Sequence, residues 1–180
     1  MPRLAWLSAL LVVLAALVQV ILVPLVMPGA ARPDGVLVLA TLAGFLGGSR
    51  YGLVLGAAGG LLLDLVTGRF LGLHLLIKGA AGGAGGQLTR HVYRENAPVA
   101  LLMVALATVG QELLHALSFR AFGIVIPLGR VFELLPTIIS ANLVLAGLLF
   151  YPLYRLARNL PDQRVRPPAG GWLARGGGRP

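Results

Sequence analysis

The sequence predicts an all-α membrane protein, folded as a compact bundle of about six transmembrane helices. Of its 180 residues, 57% are hydrophobic and 12% are charged, whereas soluble domains usually carry about 25% charged residues. The mean hydropathy is +0.86. Long apolar runs recur along the chain, and about 20 helical residues are enough to cross a bilayer. The absence of cysteine excludes a disulfide framework and thiolate chemistry.

Six apolar segments are separated by short polar breaks. They are residues 4–27, 36–48, 52–66, 71–88, 97–118 and 131–154. We expect the first to be a retained helix, because it is longer than the usual signal-peptide core of about 7–15 residues. The stretch 36–66 is short for two spans. We expect two short helices there with a turn at 49–51, and a single broken, re-entrant element is the alternative.

The charges indicate how the chain lies in the membrane. There are 15 basic and 6 acidic residues, and in so apolar a chain we expect them to contact lipid headgroups rather than nucleic acid. With six spans, ten arginines lie on the side of both termini: Arg3, Arg50, Arg90, Arg94, Arg155, Arg158, Arg164, Arg166, Arg175 and Arg179. The other side holds four: Arg32, Arg69, Arg120 and Arg130. The positive-inside rule therefore predicts that both termini are cytoplasmic.

The predicted organisation is a six-helix transmembrane domain, residues 1–155, followed by a tail, residues 156–180. From residue 161 onward the tail is rich in Pro, Gly and Arg and has no apolar period. Such a segment buries too little apolar surface to fold, so we expect a basic, disordered cytoplasmic tail. It is suited to lie against anionic lipid.

Glycine recurs every four residues in three consecutive spans. The predicted helix-packing glycines are Gly44, Gly48, Gly52, Gly56, Gly60, Gly79 and Gly83, with Gly82 and Gly86 repeating the spacing. This spacing places small residues on one helix face and lets helix backbones approach closely within a membrane. The pattern predicts a compact bundle whose third and fourth spans are buried.

Ionisable residues inside the spans are the candidate functional residues, because they are costly in a bilayer. They are Asp64, His74, Lys78, Glu112, His115 and Glu133, and all six are expected in the outer half of the bundle. They could form a partner-binding or a structural polar cluster. Asp64 lies at a helix C-terminus, where an anion is disfavoured, so we expect it to pair with Lys78 or Arg69. Its isosteric replacement by Asn is expected to be milder than replacement by Ala.

Other polar residues in the spans favour structural roles. Gln19, Gln87 and Asn142 are interpreted as hydrogen-bonding groups between helices. Glu112-Leu-Leu-His115 has the E-x-x-H spacing of di-iron bundles, which need that motif twice and further carboxylates. We therefore expect no metal and no cofactor. No Ser/His/Asp set or spaced carboxylate pair is present, so the chain is not expected to be an enzyme.

The segment Gly56-Ala-Ala-Gly-Gly-Leu-Leu-Leu-Asp64-Leu-Val-Thr-Gly-Arg-Phe-Leu-Gly72-Leu resembles the MreD family, the rod shape-determining membrane proteins of bacteria. The family typically has a Gly-rich helix that runs into Leu-Leu-x-Asp, then a small polar turn and Gly-Leu. Pro33-Asp34 before an apolar helix, Arg50 between two short spans and the helix bearing Glu112 extend the resemblance over most of residues 1–155. The basic tail is not part of it.

The resemblance implies a fold similar to the substrate-binding components of energy-coupling-factor vitamin transporters. It also implies a non-enzymatic scaffold of the elongasome in the bacterial inner membrane. The implied partners are MreC, a single-pass membrane protein, together with RodA, a class B penicillin-binding protein and the actin-like MreB. A substrate-binding subunit of a vitamin or metal transporter is the alternative, and in it the outer polar cluster would be the substrate pocket.

Overall fold

The computed structural model describes residues 2–26, 32–68, 71–88, 92–124 and 127–158. Within these ranges all regular secondary structure is helical, so the predicted all-α bundle is confirmed. The first helical rod consists of α1 (Pro2–Leu17), a π-helical turn (Val18–Leu22) and α2 (Val23–Val26). The π turn ends two residues before Pro24, whose missing N–H interrupts the regular ladder of backbone hydrogen bonds.

The stretch 36–66 forms two helices, as expected, α3 (Gly35–Gly47) and α4 (Ser49–Thr67). The turn between them is Gly48 alone, with φ of +98°, a conformation that glycine adopts most readily. Residues 49–51 belong to α4 rather than to the turn. A Cβ built on Gly52 would lie 2.3 Å from Gly44 Cα, and one built on Gly59 would lie 2.6 Å from Val36 Cγ1. The two helices therefore form an antiparallel hairpin.

Three further helices complete the described fold: α5 (Leu73–Leu88), α6 (Ala97–Ala121) and α7 (Leu128–Ala157). The Asn96 side chain caps α6 by accepting a hydrogen bond from the Val99 N–H at 3.3 Å. Both α6 and α7 extend beyond their predicted ends, and α7 passes the predicted domain boundary at residue 155. The expected tail lies outside the described residues from 159 onward.

The buried centre of the bundle is α3, which packs against α1, α4, α5, α6 and α7. Its side chains are buried almost without exception from Val36 to Leu46, as expected of a helix that is apolar on all sides. The prediction that the third and fourth spans are the buried ones is wrong. Helices α4 and α5 are buried mainly along their glycine-bearing faces, and they leave large apolar side chains such as Leu65 and Leu76 exposed.

Glycine brings the backbones of α3, α4 and α5 together. A Cβ built on Gly44 would lie 1.9 Å from the Gly82 carbonyl oxygen, and one on Gly56 would lie 2.1 Å from the Lys78 carbonyl oxygen. The corresponding distance from Gly60 to the His74 carbonyl oxygen is 2.3 Å. No side chain fits at such distances, so these glycines act as predicted. The two helices α4 and α5 are antiparallel, because Gly56 lies opposite Lys78 whereas the later Gly60 lies opposite the earlier His74.

Three of the predicted packing glycines have other roles. Gly48 forms the turn described above. Cβ atoms built on Gly79 and Gly83 would meet Ala57 Cβ at 3.4 Å and Leu53 Cδ1 at 3.6 Å, which are ordinary side-chain contacts. Gly79 and Gly83 therefore lie against α4, but a Cβ at either position would meet only ordinary contacts. On α5 it is Gly82 and Gly86 that meet backbone atoms of α4, at 2.1 Å each.

Apolar surface covers the outside of the bundle. Three helical stretches in the described residues are long and apolar enough to cross a membrane: Ser49–Thr67, Ala97–Ala121 and Gly129–Ala157. Large apolar side chains such as Leu106, Val144 and Leu148 are exposed along α6 and α7. In a water-soluble protein so many exposed apolar side chains would drive aggregation, whereas in a bilayer they contact lipid.

Candidate functional site

The Asp64 carboxylate caps the start of α5. It lies near the C-terminus of α4, and its side chain is fully buried (0% exposed). Its Oδ2 accepts hydrogen bonds from the N–H groups of Gly72 at 2.9 Å and Leu75 at 3.1 Å. Its Oδ1 accepts one from the His74 N–H at 3.1 Å. The first N–H groups of a helix lack partners within it, so one carboxylate satisfies the first turn of α5.

This geometry resolves the unfavourable position of Asp64. The negative end of the α4 dipole repels the carboxylate, but the positive end of the α5 dipole attracts it. Two glycines shape the connection: Gly68, with φ of +64°, ends α4, and Gly72, with φ of +95°, precedes α5. Asp64, Gly68 and Gly72 therefore belong to one local structure, in which the carboxylate at the end of one helix caps the start of the next.

His74 and His115 extend this cluster toward α6. The His74 Nδ1–H donates a hydrogen bond to Asp64 Oδ1 at 2.8 Å, since an ionised carboxylate is only an acceptor. The His74 and His115 rings pack edge to face with their centroids 5.2 Å apart. The Nε2 atom of His115 is buried and has no hydrogen-bond partner among the described residues. Three of the six predicted residues, from three helices, are thus in one cluster.

A second, deeper cluster surrounds Lys78, whose side chain is fully buried (0% exposed). Its ammonium group forms an ion pair with Asp34 and donates a hydrogen bond to Gln111 Oε1 at 3.0 Å. The Gln111 Nε2 atom in turn donates to Asp34 Oδ2 at 2.9 Å. Asp34 also caps α3, since its Oδ1 accepts from the Leu37 N–H at 2.8 Å. The start of α3, the middle of α5 and the middle of α6 are therefore joined in one buried network.

Asn142 carries the same network into α7. Its Oδ1 accepts a hydrogen bond from the Asp34 N–H at 2.7 Å, and its Nδ2 donates to Thr108 Oγ1 at 2.9 Å. On the other side of α3, Gln19 Oε1 accepts from the Val36 N–H at 3.2 Å. The predicted roles of Asn142 and Gln19 between helices are confirmed. Gln87, by contrast, is exposed on α5, so the same interpretation of Gln87 is wrong.

The predicted pairing of Asp64 with Lys78 is wrong. The two residues belong to different clusters, and Lys78 takes Asp34, a residue 44 positions away in sequence. The other proposed partner, Arg69, lies outside the described residues. Glu133 does not join either buried cluster, because its side chain is 68% exposed and its carboxylate is 3.6 Å from the Arg130 guanidinium on the surface of α7.

Glu112 and His115 line a cavity of about 200 Å³ between α6 and α7. Glu112 is half-buried and takes part in no ion pair among the described residues. The remaining lining residues are Ala116, Phe119, Arg130, Val131, Leu134 and Ile138. A cavity lined by a carboxylate, an imidazole and several apolar side chains is suited to bind a small amphiphilic group.

Sequence reasoning missed Asp34, Gln111 and Thr108 as members of the buried network. Asp34 had a local signal, because an Asp directly before an apolar segment is a typical helix N-cap. The part of the chain that the structure describes contains no group of three or more His, Cys, Asp or Glu side chains suited to a metal ion. The polar groups that the structure brings together instead hydrogen-bond across helices, and their chemistry is that of helix capping and interhelical pairing.

An apolar helical bundle with buried polar networks defines an integral membrane protein. A family model described as "rod shape-determining protein MreD" matches residues 2–160. The chain therefore belongs to the MreD family of rod shape-determining membrane proteins, which is not a known enzyme family. No curated protein and no solved structure shows significant similarity to the chain.

Proposed function

We propose that this protein is a non-enzymatic scaffold of the bacterial elongasome, which binds an MreC-like partner and helps control cell shape and lateral peptidoglycan synthesis. The observation that carries the proposal is that the charged side chains buried in the bundle pair with groups of the same chain. The carboxylates of Asp34 and Asp64 and the ammonium of Lys78 are satisfied by the chain's own groups, and therefore fix helix positions. A rigid bundle with an apolar outer face is suited to bind partner helices.

Membership of the MreD family supports the proposed partners. An MreC-like single-pass membrane protein is the direct partner, and RodA, a class B penicillin-binding protein and MreB are further members of the assembly. Membrane lipids surround the bundle, and the basic tail contacts anionic headgroups. Nucleic acid is not a partner. The proposed location is the bacterial inner membrane.

We propose six membrane crossings with both termini in the cytoplasm, on the ten-to-four arginine asymmetry. Reporter fusions at residue 94 and at the C-terminus are expected to give a cytoplasmic signal. A fusion at Ala121, the last residue of α6, is expected to give an extracytoplasmic one. A cytoplasmic signal at Ala121 would refute the six-span arrangement.

The scaffold proposal is tested by partner recovery from membranes. The tagged full-length chain is expected to co-purify with an MreC-like protein encoded in the same genome, and its depletion is expected to round the cells. The matched control is an unrelated six-helix membrane protein with the same tag and expression level. Normal rods after depletion, together with no recovered partner, would contradict the proposal.

The cavity beside Glu112 favours a second candidate, a substrate-binding subunit of a transporter. Its volume of about 200 Å³ is below the range of roughly 300–1,000 Å³ typical of small-molecule sites, so it is small for a vitamin. A transporter subunit purified alone would retain a tightly bound small molecule. Mass spectrometry of the extracted protein that finds such a molecule, with no shape defect on deletion, would replace the scaffold proposal.

A further inference from the structure

Two polar side chains on one face of α6, Glu112 and His115, line the cavity. Glu112 and His115 are three residues apart, which places their side chains side by side on the helix. The half-buried Glu112 carboxylate has no cation within ion-pair distance among the described residues. The His115 Nε2 atom has no hydrogen-bond partner there either. A buried polar atom left unpaired is costly, and each such atom calls for an explanation.

A cationic N–H donor satisfies both groups at once. An ammonium or guanidinium group neutralises the Glu112 carboxylate and also donates a hydrogen bond to a neutral imidazole nitrogen. A neutral donor offers no counter-charge, and an anion is repelled by Glu112. The nearby Lys78 does not fill this role, because its ammonium group is held by Asp34 and Gln111.

The apolar lining of the cavity fits an aliphatic stem. Ala116 and Phe119 line it on α6, beside Glu112 and His115, and Val131, Leu134 and Ile138 line it on α7. Lysine and arginine carry their charge on such a stem, which packs readily against apolar surface. The volume of about 200 Å³ exceeds that of a few water molecules, each of which takes roughly 30 Å³. It is suited to one extended basic side chain.

The helix that contributes the α7 wall contains a proline just beyond the cavity-lining residues 130–134. Pro136 lies inside α7, directly after the turn that carries Arg130, Val131 and Leu134. Proline has no N–H, so the hydrogen bond to the carbonyl of Phe132 is missing, and helices bend most easily at such positions. The first two turns of α7 are thus joined to the rest of the helix at a position that lacks one backbone hydrogen bond.

We propose that this cavity binds the ammonium or guanidinium group of a lysine or arginine side chain from the partner, at the end of the bundle where α6 ends and α7 begins. Only the source of the cation rests on the proposed function. Glu112 supplies the counter-charge, His115 accepts the N–H, and the apolar wall packs on the stem. Arg130, at the rim, pairs with Glu133 on the surface and leaves the interior to the partner's cation.

The first experiment compares two probes on the purified full-length protein in detergent micelles. Nα-acetyl-lysinamide carries the ammonium group, and Nα-acetyl-norleucinamide is its uncharged counterpart with the same backbone and a similar stem. Saturation-transfer NMR is expected to show binding of the lysine probe at least about tenfold tighter, which is the effect of one charge-assisted hydrogen bond. Equal binding of the two probes, or no binding of the lysine probe, would overturn the proposal.

Variants then locate the site. Glu112→Gln keeps the shape and removes the charge, so the lysine probe is expected to bind no better than the norleucine probe. Glu133→Gln is the matched control, because it removes an equivalent charge from the exposed surface of α7, and the difference between the probes should remain. Binding that appears only in Arg130→Gln would identify Arg130 itself as the occupant and overturn the proposal. The wild-type comparison of probes stands even where a variant fails to fold.

The last arm separates the two possible sources of the cation. If the partner supplies it, Glu112→Gln lowers recovery of the MreC-like protein from membranes and Glu133→Gln does not. Lost probe binding with unchanged partner recovery would assign the cavity to a free organic amine and overturn the partner source. In that case the scaffold proposal, which requires only that the partner be recovered, would survive.

Discussion

Replacing Gly56 by alanine tests the close approach of α4 and α5. The added Cβ would lie 2.1 Å from the Lys78 carbonyl oxygen, 2.6 Å from its carbonyl carbon and 3.0 Å from the Gly79 nitrogen. These are backbone atoms, which cannot rotate away as a side chain can. To restore even a 3.0 Å separation from that oxygen, the two backbones must part by about 0.9 Å, and interiors packed to crystal-like density resist such a shift.

The expected cost follows from two opposing terms. Overpacking of a well-packed core costs about 1–3 kcal/mol, and the upper end applies because backbone meets the new atom. Alanine regains about 1 kcal/mol over glycine through helix propensity. We therefore expect Gly56→Ala to lower the free energy of unfolding by about 2 kcal/mol. The parting of the helices also displaces Lys78, so the ion pair with Asp34 should loosen.

Gly83→Ala is the matched control on the facing helix. Its Cβ would meet Leu53 Cδ1 at 3.6 Å, an ordinary contact, so only the propensity gain of up to about 1 kcal/mol remains. Equilibrium SDS titration of the purified protein, followed by circular dichroism, measures both. The two substitutions should have opposite signs. If Gly56→Ala is as stable as the wild type, the close-approach argument is wrong.

Two further substitutions test the polar clusters by the same titration. Asp64→Asn is expected to destabilise the protein by about 1–3 kcal/mol, nearly as much as Asp64→Ala. Both carboxylate oxygens accept hydrogen bonds, and an amide would place its NH₂ against an N–H donor in either orientation. This differs from the mild effect expected from the sequence, and an Asn variant as stable as the wild type would count against the capping role of Asp64. Asn142→Leu removes the acceptor of the Asp34 N–H and the donor to Thr108 Oγ1, and it is expected to cost about 1–3 kcal/mol. Ser140→Ala, at an exposed position on the same helix, should change stability by less than about 0.5 kcal/mol.

Local features of the fold could be predicted from the sequence because they depend on neighbouring residues. The apolar runs give the helices, and the break near Gly68 follows from glycine at a helix end. The break between α3 and α4 was expected at residues 49–51 and lies one residue earlier, at Gly48. Asp64 was correctly selected as a buried acid that needs compensation. Its partners are backbone N–H groups at the start of the next helix. Because every residue except proline has such a group, the sequence does not single these partners out as it does a cationic side chain.

Features that depend on the rotation of helices could not be predicted. The pairs Gly79/Gly83 and Gly82/Gly86 have the same spacing, and they lie only about 60° apart around a helix of 3.6 residues per turn. Only the position of α4 decides which pair meets backbone. The pairing of Lys78 with Asp34 likewise depends on α3 lying at the centre of the bundle. The central position of α3 is determined by its contacts with all the neighbouring helices. The periodicity of a sequence describes each helix separately and therefore does not predict it.

The buried pair of Asp34 and Lys78 allows a test of whether its charge or its shape holds the helices together. Lys78→Met leaves the Asp34 carboxylate buried without its cation, and breaking such a pair costs about 3–5 kcal/mol. Asp34→Asn alone leaves the ammonium group without its anion. The double variant Asp34→Asn with Lys78→Met removes both charges and keeps a good N-cap for α3, so it should be less destabilised than the sum of the single variants by about 1–3 kcal/mol. Additive effects in the SDS titration would mean that the two charges do not interact, and the assignment of the pair would fail. If the double variant recovers its stability and the cells keep their rod shape, the pair acts only in folding, since a charge used in partner binding could not be removed without altering cell shape.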